Sequence, residues 1–151
     1  MARIDIEDLT ATHLKALYRH LSVQSLLDIK AVNGFIDDKI LIGLVNKSTI
    51  AKTVLFDGKV AYSFFVLPTD EKECSIYVIS TTLGYSDKES LRKSFEALIK
   101  DLPNNNFYSI VYKGNHGYSK LLKDNGFRFI KEIIHGAEQR QFLLLGKKQD
   151  G

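Results

Sequence analysis

The sequence predicts an α/β domain with a mixed sheet and helices on both of its faces. Three observations lead there. Apolar residues recur at helical spacing in some stretches and alternate or run together in others. These stretches follow the order strand, helix, helix, hairpin, strand, helix, strand, helix, strand, strand, with no internal repeat and no low-complexity segment. One run, Ile76-Tyr77-Val78-Ile79, is nearly uninterrupted, as a strand covered on both faces requires.

Composition sets the bounds. The 151 residues, 44% hydrophobic and 26% charged, fit a single domain over residues 1–146, with residues 147–151 as a loose tail. A net charge of +3 arises from 21 basic residues interspersed with 18 acidic ones. That balance permits an anionic ligand but offers no block of charge for nucleic acid. The lone Cys74 excludes an internal disulfide and suits a reducing cytosol. No apolar run approaches the roughly 20 residues of a membrane span, and Met1 to Asp5 lacks the apolar core of a signal peptide. A cytoplasmic protein with no membrane partner is expected.

In chain order, Arg3 to Glu7 reads as a brief strand through Ile4 and Ile6. Thr10 or Thr12 can cap the next helix, whose Leu14, Leu17, Tyr18 and Leu21 share one face. His13 and His20 lie two turns apart on it, too far to share a metal, and read as solvated residues. The helical pattern continues from Ser22 until Asn33-Gly34 stops it. Asp37 or Asp38 can cap a second helix, Lys39 to Lys47, with Ile40, Leu41, Leu44 and Val45 as its apolar face despite Gly43. A short strand over Ile40 to Val45 is the competing reading. Thr49 to Leu67 is a hairpin turning at Asp57-Gly58 and ended by Pro68.

After a turn over Thr69 to Glu73, Cys74 to Ser80 is the candidate central strand. Ser86 and Glu89 have the spacing of a capping box for a helix with Leu91, Phe95, Leu98, Ile99 and Leu102 on its inner face. Pro103 and Asn104-Asn105-Asn106 then turn the chain into a strand, Phe107 to Tyr112. Asn115 is a good N-cap for a short helix carrying Tyr118, Leu121 and Leu122, and Asn125-Gly126 stops it. A helix this short must pack on the sheet to persist. Phe127, Phe129, Ile130 and Ile133 form a strand with imperfect alternation, His135 to Arg140 a loop, Gln141 to Leu145 a last strand, and Gly146 onward a tail.

Asn115, followed at its spacing by Leu121 and Gly126-Phe127, resembles the C-terminal signature of the GNAT acyltransferases, N-x-x-A-x-x-l-Y-e-k-l-G-F, without a gap. The element order is similar to that family over nearly the whole chain. More narrowly, Leu41 to Ser48, the Asp57-Gly58 hairpin, the Asn115 to Phe127 block and the final Gln141 to Gly146 resemble compact GNAT-like proteins of short-tailed phages. Those are described as acetyltransferases or as internal virion or assembly proteins.

The resemblance implies acyl transfer from acetyl-CoA to an amine of a protein, a small molecule or a modified base, with no metal. It implies a cofactor held by Val78, Ile79 and Ser80 at the end of the central strand, by Gly84, Tyr85 and Ser86 in the turn after it, and by Asn115. Free amides at a helix N-terminus bind phosphate oxygens through the helix dipole, which gives that placement a physical basis. The family's turn, Q/R-x-x-G-x-G/A, meets Thr81-Thr82-Leu83-Gly84-Tyr85-Ser86 here. Gly84 matches, Ser86 is small, and Thr81 replaces the basic or amide residue; Lys88 can supply a compensating charge. The alternative is that Gly84 only shapes the turn and Ser86 only caps the helix.

The family's tyrosine, which protonates the departing thiolate, falls at Leu122. Tyr118, one turn earlier on the same face, is the candidate acid, or else an amphipathic residue covering the sheet. Candidate bases are Glu73, with Glu71 and Tyr62 behind it, although glutamates in a turn also fit plain solvation. Cys74 and His116 have no reason to meet as a thiol dyad, and no zinc spacing, P-loop or dinucleotide fingerprint is present. The aromatics Tyr62, Phe64, Phe65, Tyr108 and Tyr112 lie on strands, where packing is their expected use.

Two functions of different class follow. One is an acyl-CoA-dependent N-acyltransferase. The other is a GNAT-shaped binding, virion-assembly or host-interaction module that has lost chemistry, with a phage or host protein as partner and the host cytoplasm or the virion as location. Asn115 and Gly84 favour the first, Thr81 and Leu122 the second.

Overall fold

The computed structural model describes residues 1–70, 73–102 and 106–147. They form β1 (Ile4–Asp8), α1 (Ala11–Arg19), α2 (Val23–Asn33), α3 (Asp38–Lys47), β2 (Ile50–Phe56), β3 (Lys59–Asp70), β4 (Glu73–Ser80), α4 (Lys88–Lys100), β5 (Asn106–Tyr112), α5 (His116–Asp124), β6 (Arg128–His135) and β7 (Arg140–Lys147). The seven strands make one sheet in the order β1-β2-β3-β4-β5-β7-β6. All neighbours run antiparallel except β4 and β5, which are parallel because α4 crosses between them. The α/β class with a mixed sheet is therefore the architecture the chain adopts.

Alternation along the strands splits the core into two layers. Phe64, Val66, Ile76 and Phe107 face α4 and α5, where Phe95, Leu98, Tyr118 and Leu122 meet them. Phe65 and Ile79 face the other way, against Leu17 of α1, Ile29 of α2 and Leu41 of α3. Central strands buried on both faces explain the nearly continuous apolar run in β4. Among the described residues no helix is long and apolar enough to cross a membrane.

Several boundaries differ from the expectation, each for a local reason. The helical pattern after Thr10 is two helices: His20 to Ser22 leaves the helix so that Leu21 can bridge Thr81 at the end of β4, and Ser22 caps α2. His13 is not solvated; its Nδ1 accepts from the Thr10 amide and completes the cap of α1. The strand reading of Ile40 to Val45 fails, since Asp37 caps α3 through the Lys39 amide. Pro68 does not end β3, which continues to Asp70. The β2 ladder stops at Ile50↔Val66, so the amide that proline lacks has no strand to serve on that side.

At the C-terminal end, Gly146 and Lys147 are not tail. They pair with Tyr108 and Phe107 in β7, and the Lys147 ammonium donates to the Asn125 carbonyl at 2.8 Å. The imperfect alternation of β6 is a bulge between Phe129 and Lys131. Parts of three further readings lie outside the described residues: the Thr69 to Glu73 turn at residues 71–72, the Pro103 turn at residues 103–105, and the tail at residues 148–151.

The element that matters most for the site is α2, because it is fixed at both ends. Its first turn meets β4 at Ser80. Its last carbonyls, on Val32 and Ala31, accept from the Ala137 and Glu138 amides of the β6–β7 turn at 2.8 and 3.2 Å. That contact needs Gly136: a Cβ there would stand 2.5 Å from the Ala31 carbonyl oxygen, and its φ is +80°. Gly136→Ala is expected to destabilise the fold by roughly 2–3 kcal/mol, read as a lower urea midpoint. An unchanged midpoint would show that the end of α2 is not held by this turn.

Candidate active site

Parallel pairing between β4 and β5 holds only at Glu73↔Asn106, Cys74↔Phe107 and Ser75↔Tyr108. Beyond that the strands part. At the first open position the Ser109 hydroxyl donates to the Ile76 carbonyl at 3.0 Å, which leaves its lone pairs to accept from the Tyr118 phenol at 2.9 Å. Further along β4, the edge turned away from β3 is met by the start of α2. The Ser80 amide donates to Ser25 Oγ at 2.9 Å, and the Ser80 carbonyl accepts from the Ser22 amide at 2.9 Å. The hydroxyls of Ser22 and Ser80 lie 2.7 Å apart.

Asp28 projects from α2 into this region. It is 2% exposed, and its Oδ1 has no hydrogen-bond partner. Burial without a compensating cation pushes its carboxyl up to about 7. Burial also raises Tyr77, Tyr85 and Tyr118, and the Asp28 charge raises all three further. The phenols therefore keep their protons at neutral pH while the carboxyl beside them titrates there. A base near neutrality among locked acids is the electrostatic pattern of proton-transfer sites.

Sequence reasoning missed Asp28. A signal was present, since Ser25, Asp28, Ile29 and Val32 follow i, i+3, i+4, i+7, which puts an acid on the inward face of α2. The structure brings several sequence candidates to the same place. Tyr118 is buried beside Ser109, and Asn115, 5% exposed, holds the start of α5 by accepting from the Tyr118 amide. Ser80 is at the split, with Val78 and Ile79 buried on opposite faces just before it. The Tyr85 ring lies against Gly117 of α5, and the Ser80 side chain partly offsets the rise that burial imposes on its phenol.

Other candidates are placed differently. Glu73 opens β4, where the strands are still paired, and its carboxylate accepts from Tyr108 at 3.4 Å. Seven residues of extended chain, about 23 Å, separate it from Ser80. Tyr62 bonds Ser94 at 2.7 Å under α4, Cys74 is buried in the core and His116 is exposed, so no thiol dyad forms. Glu71 lies outside the described residues.

The turn after β4 departs from its reading as a capping box. The N-cap of α4 is Asp87, which accepts from the Ser90 amide at 3.1 Å, while the Ser86 hydroxyl donates back to the Leu83 carbonyl. The carboxylate wins because it also takes the Ser90 hydroxyl and suits the helix dipole; these hydrogen bonds hold its pKa below the usual range. Thr81 is buried and donates to the Val60 and Ala61 carbonyls. Gly84 packs so tightly on β3 that a Cβ would stand 2.7 Å from the Ala61 oxygen. The amides of Leu83, Gly84 and Ser86 are all bonded within the turn. Beside it, a groove of about 370 Å³ runs between α4 and α5, carrying Lys88, Arg92 and Lys120 against Glu89 and Asp124.

No protein-family model matches the chain, and no curated protein sequence matches it. Solved structures do. The ribosomal-protein-alanine N-acetyltransferase of Brucella melitensis superposes with a TM-score of 0.74 at 14% identity, covering 95% of this chain and 99% of its own. The ribosomal-protein-S18-alanine N-acetyltransferase of Escherichia coli gives 0.71 at 16%, covering 99% and 97%. The chain has the GNAT fold. A third GNAT structure, spermidine N-acetyltransferase from Vibrio cholerae in complex with CoA and spermine, gives 0.70 at 11%, covering 97% and 95%.

The buried carboxyl of this GNAT-fold chain makes a direct thermodynamic prediction. Between about pH 4 and 7 the unfolded chain releases the Asp28 proton while the folded chain retains it, so stability falls as pH rises through that window. Above pH 7 the full penalty applies, on the order of 4 kcal/mol at about 1.4 kcal/mol per unit. Asp28→Asn is expected to be more stable than the parent at pH 8 by up to that amount, with the difference shrinking toward pH 4. Equal urea midpoints at both pH values would show that Asp28 does not ionise in a buried site.

Proposed function

We propose that the chain is an acyl-CoA-dependent N-acyltransferase in which Asp28 is the base and Tyr118 the acid. The observation that carries this reading is the buried, neutral-range carboxyl of Asp28, its Oδ1 without a hydrogen-bond partner, on the helix whose start bonds β4 beyond its pairing with β5. The residues fit the donor in two respects. The β4 and β5 ladder ends at Ser75 and Tyr108, and the groove between α4 and α5 supplies Lys88, Arg92 and Lys120 for phosphate charge. With the turn amides engaged, side-chain cations carry the phosphate contacts, supported by Gly84, Tyr85 and Ser86 as the adjoining surface.

Bound acetyl-CoA supplies an activated acyl carbonyl. Asp28 accepts a proton from the attacking amine as the new C–N bond forms. Tyr118, kept protonated by burial, holds the proton that the leaving sulfur requires when the C–S bond breaks. Ser109 orients that phenol, and Asn115 fixes the helix that carries it. Both groups are buried, and removal from water strengthens their electrostatic interactions.

Calorimetry with acetyl-CoA tests the donor half. Binding is expected, weakened about five-fold each by Lys88→Ala and Arg92→Ala, or roughly 1 kcal/mol; no binding at millimolar acetyl-CoA would end the enzyme reading. Turnover tests the acid and base. Its kcat/KM is expected to rise with pH through about 7, a limb that Asp28→Asn should remove. Tyr118→Phe is expected to lower kcat roughly a hundred-fold with acetyl-CoA affinity intact; an unchanged rate would remove Tyr118 from the mechanism.

A second reading is favoured by one observation. The engaged amides of Leu83, Gly84 and Ser86, with the Asp87 carboxylate at the helix start, describe a turn already satisfied without phosphate. On that reading the domain is a GNAT-shaped binding module. A partner captured equally well by the parent and by Lys88→Ala, with no acetyl-CoA bound, would support it.

A further inference from the structure

A second cavity, about 470 Å³, lies on the opposite face of the sheet from the groove, under α2 and α3. Ile29, Ile40, Leu44, Ile79 and Ile110 make its walls apolar. Tyr77 also lines it, as do Ile29 and Val32, the chain neighbour of Asp28 and the residue one turn after it on α2, which puts the buried carboxyl behind this wall and outside the lining. Lys39, Lys47 and His135 are the basic residues of the lining, which contains no carboxylate. Lys39 and Lys47 are exposed, and Lys47 forms no ion pair among the described residues. The cavity thus has a buried carboxyl behind its inner wall, two lysines toward solvent and an apolar middle of small-molecule size.

Gly43 gives an independent indication that this space is meant to stay open. It sits inside α3, where glycine weakens a helix relative to alanine, and neither a positive φ nor a close neighbour requires it. A Cβ built at Gly43 meets nothing within 4 Å, because it would point into unfilled space.

We infer that this cavity is the acceptor site, and that it selects a small amine with an apolar body and an anionic far end. The inference rests on the acyltransferase reading for the fate of the amine, but not for its binding. The amine nitrogen is drawn to Asp28, the apolar body fills the isoleucine-lined middle, and the anionic end meets Lys39 and Lys47. Polyamines are disfavoured, since their second cation would face those lysines.

Calorimetry on the full chain with para-aminomethylbenzoate, benzylamine and spermidine separates these terms. The aminobenzoate is expected to bind about ten-fold more tightly than benzylamine, and spermidine more weakly than either. The Lys39→Ala/Lys47→Ala double variant should reduce that preference to near unity. Gly43→Phe should abolish binding of both aromatic amines while acetyl-CoA affinity is unchanged. Gly43→Ala, as a control for folding, should retain the amines and raise the melting temperature. Benzylamine or spermidine binding as tightly as the aminobenzoate, or binding that survives Gly43→Phe, would overturn the inference. Loss of acetyl-CoA binding with the amine preference intact would instead remove the acyltransferase reading alone.

Discussion

The structure depends on one interruption: β4 and β5 share only three parallel pairs and then separate. Parallel neighbours in a sheet ordinarily continue their ladder, because exposed backbone donors and acceptors are costly when buried. Here the open edges are satisfied by side chains and by another element. Ser109 serves Ile76, while Ser22 and Ser25 serve Ser80. Two hydroxyls and one amide thus serve Ile76 and Ser80 in place of a neighbouring strand.

Helix α2 turns that interruption into a site. Held by β4 at its start and by the Gly136 turn at its end, it spans the open half of the sheet and keeps Asp28 over the split. A buried carboxyl oxygen with no partner is unfavourable for folding, and among the described residues the other buried side-chain oxygens without partners are only the hydroxyls of Thr53 and Ser63. Stability lost at one position, with the surrounding fold well packed, is the pattern expected where chemistry and packing make different demands. The sheet separates two chemically distinct spaces, a groove of mixed charge on one face and an apolar cavity with two lysines on the other.

Much of this was legible in the chain. The Asp57-Gly58 hairpin, the Asn115 and Gly126 ends of α5 and the two-sided apolar run of β4 are local signals, fixed by turn chemistry and side-chain period. The misread places share a cause. Pro68, Ser86, Gly146 and the break at Leu21 each follow from a neighbour distant in sequence: the end of β2, the Asp87 carboxylate held together with Ala2, the Tyr108 pairing, and the Thr81 bridge. Gly84 matched the family's turn in sequence, yet its close approach to Ala61 is sufficient reason for glycine there.

By itself, the sequence determined the α/β class, the order of most elements and the resemblance to the GNAT family, since periodicity, caps and turns act over a few residues. Only the tertiary structure decided where acids and bases meet. Asp28 reads as one more residue of a helix until α2 is laid across the split, because a carboxyl acquires a neutral-range pKa from what surrounds it. Glu73 is a base candidate in sequence, being next to the central strand, but it stands at the end where that strand is still paired. Electrostatics depends on distance and burial, and neither is written along the chain.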